Sequence, residues 1–490
     1  MAELAIEPEA RQKLTLVGLV LLGTVTLLLL VVFIANRDIV RLTALVAVIG
    51  FVGVFPFPKQ AVVLIILFAQ VQYLFTTYYG SLVSHPIFPR SFQWLDEVML
   101  LSLLGNLTLS KLRKGKGAGI EKAPGLAMLI VLFMIGLASA RLNGVGLKQG
   151  LIGQRYIFQM VILYLAIINM DLDERYLKGL IYLLLGIGFF QAIVGILEFV
   201  SKYRLYVAGN HDVVQGTWGG GSSNFIGVFA LCLSAIVLAS LRRRWHGPKA
   251  ILFGSFVFLL VLSSCRSGIV VSPFVFLFVL REKMKNPKYW IGATVALVFL
   301  LASLALYYKN TDAEIERYLG TDEFVFQIMG RTRVIPVMSQ VLHDNSKFPP
   351  FGAGPSTYVP ATGDIFGSRM YIQIESMLRT HEVIHPFISA SYAVVWMEYG
   401  MVGLVLFAMI LVRLFLFAWQ REKSARSLFW KDYFRALQAI IFVYVVVGGI
   451  FPLWTHFQTN IYLWLFPAIG VKYAILDRER AKRESEAFIP

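Results

Sequence analysis

The chain has 490 residues, of which 57% are hydrophobic and only 15% charged, with a mean hydropathy of +0.69. Apolar runs of membrane-spanning length recur throughout, which excludes an ordinary soluble globular protein and marks a polytopic membrane protein. The formal net charge of +16 comes from Lys and Arg spread over short segments between these runs, the positive-inside pattern and not a basic nucleic-acid-binding face, so no nucleic acid is expected as a partner.

In chain order, the first apolar run, 14–35, is too long for the core of a signal peptide and lacks a small-residue cleavage site. It reads as a retained first span that leaves the N-terminus in the cytoplasm. Runs near 42–57, 61–79, 95–110, 124–140, 151–169, 177–200 and 222–241 follow, then a closely spaced pair at 250–264 and 268–280, then 289–308. The longest interruption, 309–386, separates these from 387–419, 434–453, 460–476 and a polar tail, 477–490. The expectation is an all-α polytopic membrane protein of about fourteen spans (twelve would keep the orientation), with one long, partly helical loop outside the cytoplasm and both termini inside. Cys232 and Cys265 lie in apolar context without metal-type spacing and read as inert packing residues.

Arg266 lies in Ser263-Ser264-Cys265-Arg266-Ser267-Gly268, between two short apolar arms with basic residues at both far ends, Arg242 to Arg244 before and Arg281 to Lys288 after. Basic flanks on both sides require a hairpin whose turn, at Arg266, reaches the opposite face. An arginine there needs an anionic partner.

The arms are shorter than a full span, which places the turn in a water-filled recess. The run 387–419 has the opposite problem: one helix of that length would extend about 50 Å, so it projects or bends near Gly400 and Gly403.

The 309–386 segment contains Gly330-Arg331-Thr332-Arg333, an amphipathic stretch 334–342, the stiff turn Pro349-Pro350-Phe351-Gly352-Ala353-Gly354-Pro355, and His381-Glu382-Val383-Ile384-His385-Pro386. Arg331 and Arg333 share a face of the membrane with Arg266, and guanidinium forks match phosphate oxygens bidentately. His385, before a proline at the mouth of a helix, is placed to take a proton from a hydroxyl. His381 lies further out in the same loop. The sequence contains no HExxH, no DxD motif and no serine elbow, so no metal or other cofactor is expected.

Four stretches together resemble the superfamily of O-antigen ligases and Wzy-type O-antigen and exopolysaccharide polymerases, bacterial enzymes that join lipid-linked glycans. Gly216-Thr217-Trp218 with Ser223-Asn224-Phe225 is similar to an outer loop of that family, and Ser263 to Gly268 to its Ser-Arg-Gly hairpin turn. Gly330-Arg331 with Phe351 to Pro355 resembles its outer helix and Gly-x-Gly-Pro turn, and Glu398 to Leu404 its Glu-x-Gly-x-x-Gly-Leu. The chain departs from the pattern at Ser389-Ala390, where the family shows His-Asn; His385 is one helical turn earlier.

The resemblance implies a metal-independent, inverting glycosyltransferase of the bacterial cytoplasmic (inner) membrane, acting at its periplasmic face. Its donor would be an undecaprenyl-diphosphate-linked oligosaccharide and its acceptor another lipid-linked glycan, with lipid A core, the ligase reaction, as the alternative. On that reading Arg266, Arg331, Arg333 and Arg155 bind diphosphate. His385 is the base with Glu398, Glu382 or Glu375 as substitutes, and Asn224, Gly352, Gly354 and His381 belong to substrate loops. A lipid-linked oligosaccharide flippase is the rival from another class. It would show related halves and midplane polar residues in broken helices, whereas the polar candidates here gather on one face.

Overall fold

The computed structural model describes residues 45, 48, 51, 55–82, 95–114, 123–204, 213–219, 222–243, 246–285, 338–359, 366–380, 390–449 and 451–486. Among these residues the fold is all-helical, without strands. The chain divides into two compact units, 1–118 and 119–490. In the first, α1 (Pro58–Leu82) pairs with α2 (Leu95–Lys114). Ser102 and Asn106 on α2 donate to the Phe51 and Phe55 carbonyls at 2.9 and 2.7 Å, fixing the approach to α1.

The second unit contains α3 (Leu126–Leu142), α4 (Leu147–Asn169), α5 (Glu174–Ser201), α6 (Ser223–Leu241), α7 (Gly247–Leu262), α8 (Arg266–Leu280), α9 (Arg369–Thr380), α10 (Ser391–Ser424), α11 (Leu428–Gly448) and α12 (Phe457–Glu486). Among the described residues five helices are long and apolar enough to cross a membrane: α4, α5, α6, α10 and most of α12. α6 is apolar on every side and almost wholly buried, as expected of a helix enclosed by others. The apolar window of α12 is 94% buried and that of α10 only 33%, so α6 and α12 form the core while α10 lies at the rim. Its exposed residues Met401, Val405, Met409, Val412 and Leu416 follow helical spacing and form one apolar stripe.

The contacts sort the connections of this unit to two ends. At one end, the ion-paired end, Arg242 and Arg243 before α7 reach Asp432 on α11 at 3.4 and 2.8 Å, and Arg242 also pairs with Glu282 after α8. Arg435 pairs with Glu282 and Glu422, and Gln438 donates to Glu422 at 2.7 Å. These charges are mostly shielded from water and hold one another in place, so each carboxylate here has several donors. At the other end, the capped end, lie the α3–α4 turn, the 213–219 loop, the Ser263–Cys265 turn, residues 338–359 and 366–380, and the approach to α12.

Several boundaries differ from the sequence reading. The helix expected to end at 476 runs to Glu486, because Arg480 reaches Glu174 at 3.1 Å and Lys482 pairs with Glu486 one turn on at 3.6 Å. The 477–490 tail is therefore helical over most of its length. α11 begins at Leu428, well before the expected 434, since Trp430, Asp432 and Arg435 are all held by partners. The hairpin turn falls on Ser263–Cys265, and Arg266 is the first residue of α8. Cys232 and Cys265 are buried free thiols.

Candidate functional site

The best-defined feature of the capped end is the interlock between α10 and the loop 352–359. Gly400 has φ +71, ψ −176, which breaks the α-helix and releases the carbonyls of Met397 and Glu398 from their usual i+4 partners. Loop amides replace those partners: Ala353 N–H donates to Met397 O at 2.8 Å and Gly354 N–H to Glu398 O at 3.0 Å. A side chain at Gly400 would meet the Pro350 carbonyl, its ideal Cβ falling 2.0 Å from that oxygen. Gly400→Ala is therefore expected to lower stability by about 3 kcal/mol or more, from left-handed strain plus the clash. Gly254→Ala, on α7 with nothing within 4 Å of a Cβ, should be neutral or slightly stabilising. Melting of the two purified variants measures the difference.

The Glu398 side chain completes the lock. It is 1% exposed, and its Oε1 accepts from the Tyr358 and Val359 amides at 3.2 and 3.1 Å. The Gly352 carbonyl accepts from Ser139 and Ser346 at 2.8 Å and from Asn143 at 3.0 Å, and Ser356 Oγ donates to the Gln149 carbonyl at 2.8 Å. Gly352 and Gly354 both have positive φ, and a Cβ on Gly354 would fall 2.7 Å from Ala140 Cα. The loop is thus wedged between α3, α4 and α10, over a small core of Met338, Val341, Tyr358, Met370, Val394 and Met397.

Arg266 stands on a second rigid support. Ser264 has φ 51, and Cys265 packs so close to Gly227 of α6 that a Cβ on that glycine would fall 2.4 Å from Cys265 Cβ. Arg266 is exposed and opens α8, so its guanidinium and the first-turn amides of the helix both offer positive charge at this end. The Gly216–Trp218 turn is fixed at the same end of α6, near Ile226. Glu198 accepts from the Gln215 and Gly216 amides at 2.9 and 2.6 Å, Gln191 from Thr217 N–H at 3.0 Å, and Trp218 packs against Phe229 and Tyr462. Asn224, the second residue of α6, is half-buried.

The structure adds His456, which the sequence reading did not single out. It precedes α12, and its ring stacks on Phe225 at 3.7 Å with 14° between planes. Its Nδ1 is buried with no hydrogen-bond partner among the described residues. One turn on, Asn460 donates to the Tyr156 carbonyl at 2.7 Å, linking this corner to α4, where Arg155 lies over the Tyr156 ring at 5.4 Å. The available signal was a histidine among aromatics at the mouth of the last span, the same placement that drew attention to His385.

Burial holds the His456 imidazole down at about 4, below the ordinary value of 6.5. Between those values the unfolded chain binds a proton that the folded chain refuses, so stability falls as pH drops through that window. Melting of the protein from pH 7 to pH 4.5 should show this loss, and His456→Gln should reduce it.

The capped end therefore gathers Arg266, Asn224, Gly352, Gly354, Glu398 and Arg155 in one unit, with the Glu398 carboxylate turned to the Tyr358 and Val359 amides of its loop. Arg331, Arg333, His381, Glu382 and His385 lie outside the described residues, as does the side chain of Glu375. No protein-family model matches the sequence, and no curated protein matches it.

Proposed function

We propose that the protein is an integral-membrane glycosyltransferase that joins undecaprenyl-diphosphate-linked glycans at the outer, periplasmic face of a bacterial inner membrane, as a polysaccharide polymerase. The observation that carries this reading is the common location, among the described residues, of Gly216–Trp218, Ser263–Gly268, Phe351–Pro355 and Glu398 at the capped end, opposite the ion-paired end. The ion-paired end is rich in Arg and Lys, which supports a cytoplasmic position for it and an outer position for the capped end.

In the proposed reaction an acceptor hydroxyl oxygen attacks the anomeric carbon of the donor glycan. The bond from that carbon to the lipid diphosphate breaks, the diphosphate departs with the electron pair, and the hydroxyl proton passes to a base. Arg266 stabilises the charge growing on the leaving group, with Arg155, Arg331 and Arg333 contributing further positive charge. His385 is the proposed base. Direct displacement inverts the anomeric centre. Glu398 acts on this chemistry as a positioning residue, through the loop it holds.

The test is incubation of purified protein with a lipid-diphosphate-linked repeat unit, with and without lipid A core. Longer lipid-linked chains without core support the polymerase; transfer only to core assigns a ligase; no transfer to either overturns the glycosyltransferase reading. Topology is checked with Lys347→Cys and Lys423→Cys, both at exposed positions. An impermeant thiol reagent applied to intact spheroplasts should label the first and not the second. The native thiols, both buried, give little background.

A further inference from the structure

At the ion-paired end, away from every residue assigned above, a cavity of about 370 Å³ opens between the start of α3, the last turns of α10 and α12. Pro124, Phe417, Val471, Ala474 and Ile475 form its apolar wall, and Gln420, Ser424, Arg421 and Arg478 its polar side. Of the neighbouring acids, Glu422 is engaged elsewhere, while Asp477, next to Arg478, keeps a buried oxygen without a hydrogen bond among the described residues and its charge acts on Arg421. Glu422 is held by Arg281 and Arg435, and Asp477 lies 3.9 Å from Arg426, which itself pairs with Glu484 at 2.6 Å. Arg421 lies over the Phe417 ring at 5.9 Å, and neither it nor Arg478 has a carboxylate within 4 Å among the described residues. Two guanidinium groups face one cavity and share the single nearby carboxylate of Asp477, which leaves a net positive charge that an entering anion would neutralise.

The surface leading to the cavity narrows the choice of anion. The exposed apolar stripe of α10, from Met401 to Leu416, continues one turn on at Gln420, which lines the cavity. Arg413, on the same face as Phe417, Gln420 and Ser424, is exposed among these apolar residues, where a cation needs an anionic partner or must reach toward headgroups. A hydrocarbon track ending in an arginine-lined cavity matches a molecule with acyl chains and a phosphate at their head.

We infer that this cavity binds the phosphate of an anionic membrane lipid, gripped between Arg421 and Arg478, with its acyl chains lying along the α10 stripe. The inference does not depend on the glycosyltransferase reading. It fits the ion-paired end being the cytoplasmic one, where a leaflet rich in anionic lipid would supply the ligand.

The full-length protein in mild detergent is titrated with dioctanoyl phosphatidylglycerol, dioctanoyl phosphatidylcholine and glycerol 3-phosphate, and binding is read by mass spectrometry of the intact complex and by the melting shift. Saturable binding of one phosphatidylglycerol is expected, at least about tenfold tighter than phosphatidylcholine, with the Arg421→Gln Arg478→Gln double variant losing at least about tenfold. Ser424→Asp keeps both arginines but puts a carboxylate beside them, and should lose affinity similarly. Arg483→Gln, outside the cavity, should change nothing. Glycerol 3-phosphate binding as tightly as the lipid would assign the site to a soluble phosphate ester and overturn the lipid as its source. Unchanged affinity in the double variant and in Ser424→Asp, or equal binding of both lipids, would overturn the site itself.

Discussion

Arg266→Ala is expected to lower glycan transfer by about a thousandfold, the scale seen when one preorganised donor to a developing anion is removed. The melting temperature should hardly move. Arg266 is exposed at the first position of α8, and the turn beneath it is secured by the packing of Cys265 and Ser263 against Gly227. Arg266→Lys keeps the charge but loses the planar fork that matches two phosphate oxygens at once, so it should recover only part of the rate. Single-turnover assays with a lipid-diphosphate donor, run beside melting curves, separate the two quantities. Near-normal transfer by a well-folded alanine variant would remove Arg266 from the diphosphate site.

Glu398 should give the opposite separation. Glu398→Ala deletes the acceptor of the Tyr358 and Val359 amides inside a buried loop, and each stranded donor costs about 1–3 kcal/mol. Stability should therefore fall by about 3 kcal/mol or more, with transfer lost as the loop loosens. Glu398→Gln keeps a carbonyl oxygen in place and cannot act as a base, and it should fold and retain most of its activity. His385→Ala, under the proposed mechanism, should lower turnover by at least about a hundredfold with little change in melting. If Glu398→Gln proved as inactive as His385→Ala while melting normally, the carboxylate would be a base after all and the positioning role would fail.

The sequence by itself determined the class of this protein and the character of its ends. Long apolar runs leave the chain no way to satisfy its backbone except as helices, and the basic flanks of the Arg266 hairpin require α7 and α8 to begin and end on one side. The described ion pairs among Arg242, Arg243, Glu282 and Asp432 agree with that requirement. The bend near Gly400 was legible too, because a 34-residue helix is longer than a membrane is thick and glycine is where such a helix breaks.

The use to which the bend is put was decided by tertiary structure alone. Local sequence shows that Gly400 can leave the helix, but not that the carbonyls it frees bind Ala353 and Gly354, about 45 residues away. Nor does it show that Glu398 turns inward to the same loop: a carboxylate one turn from a substrate and one buried under backbone amides read alike in sequence. His456 was missed for the same reason, since its character comes from Phe225 and the burial of Nδ1, contacts made by residues far apart in the chain. Helix and hairpin formation depend on near neighbours and on the solvent, which the sequence carries explicitly. The chemical role of a polar side chain depends on which distant backbone or ring it meets, and only the packed fold specifies that.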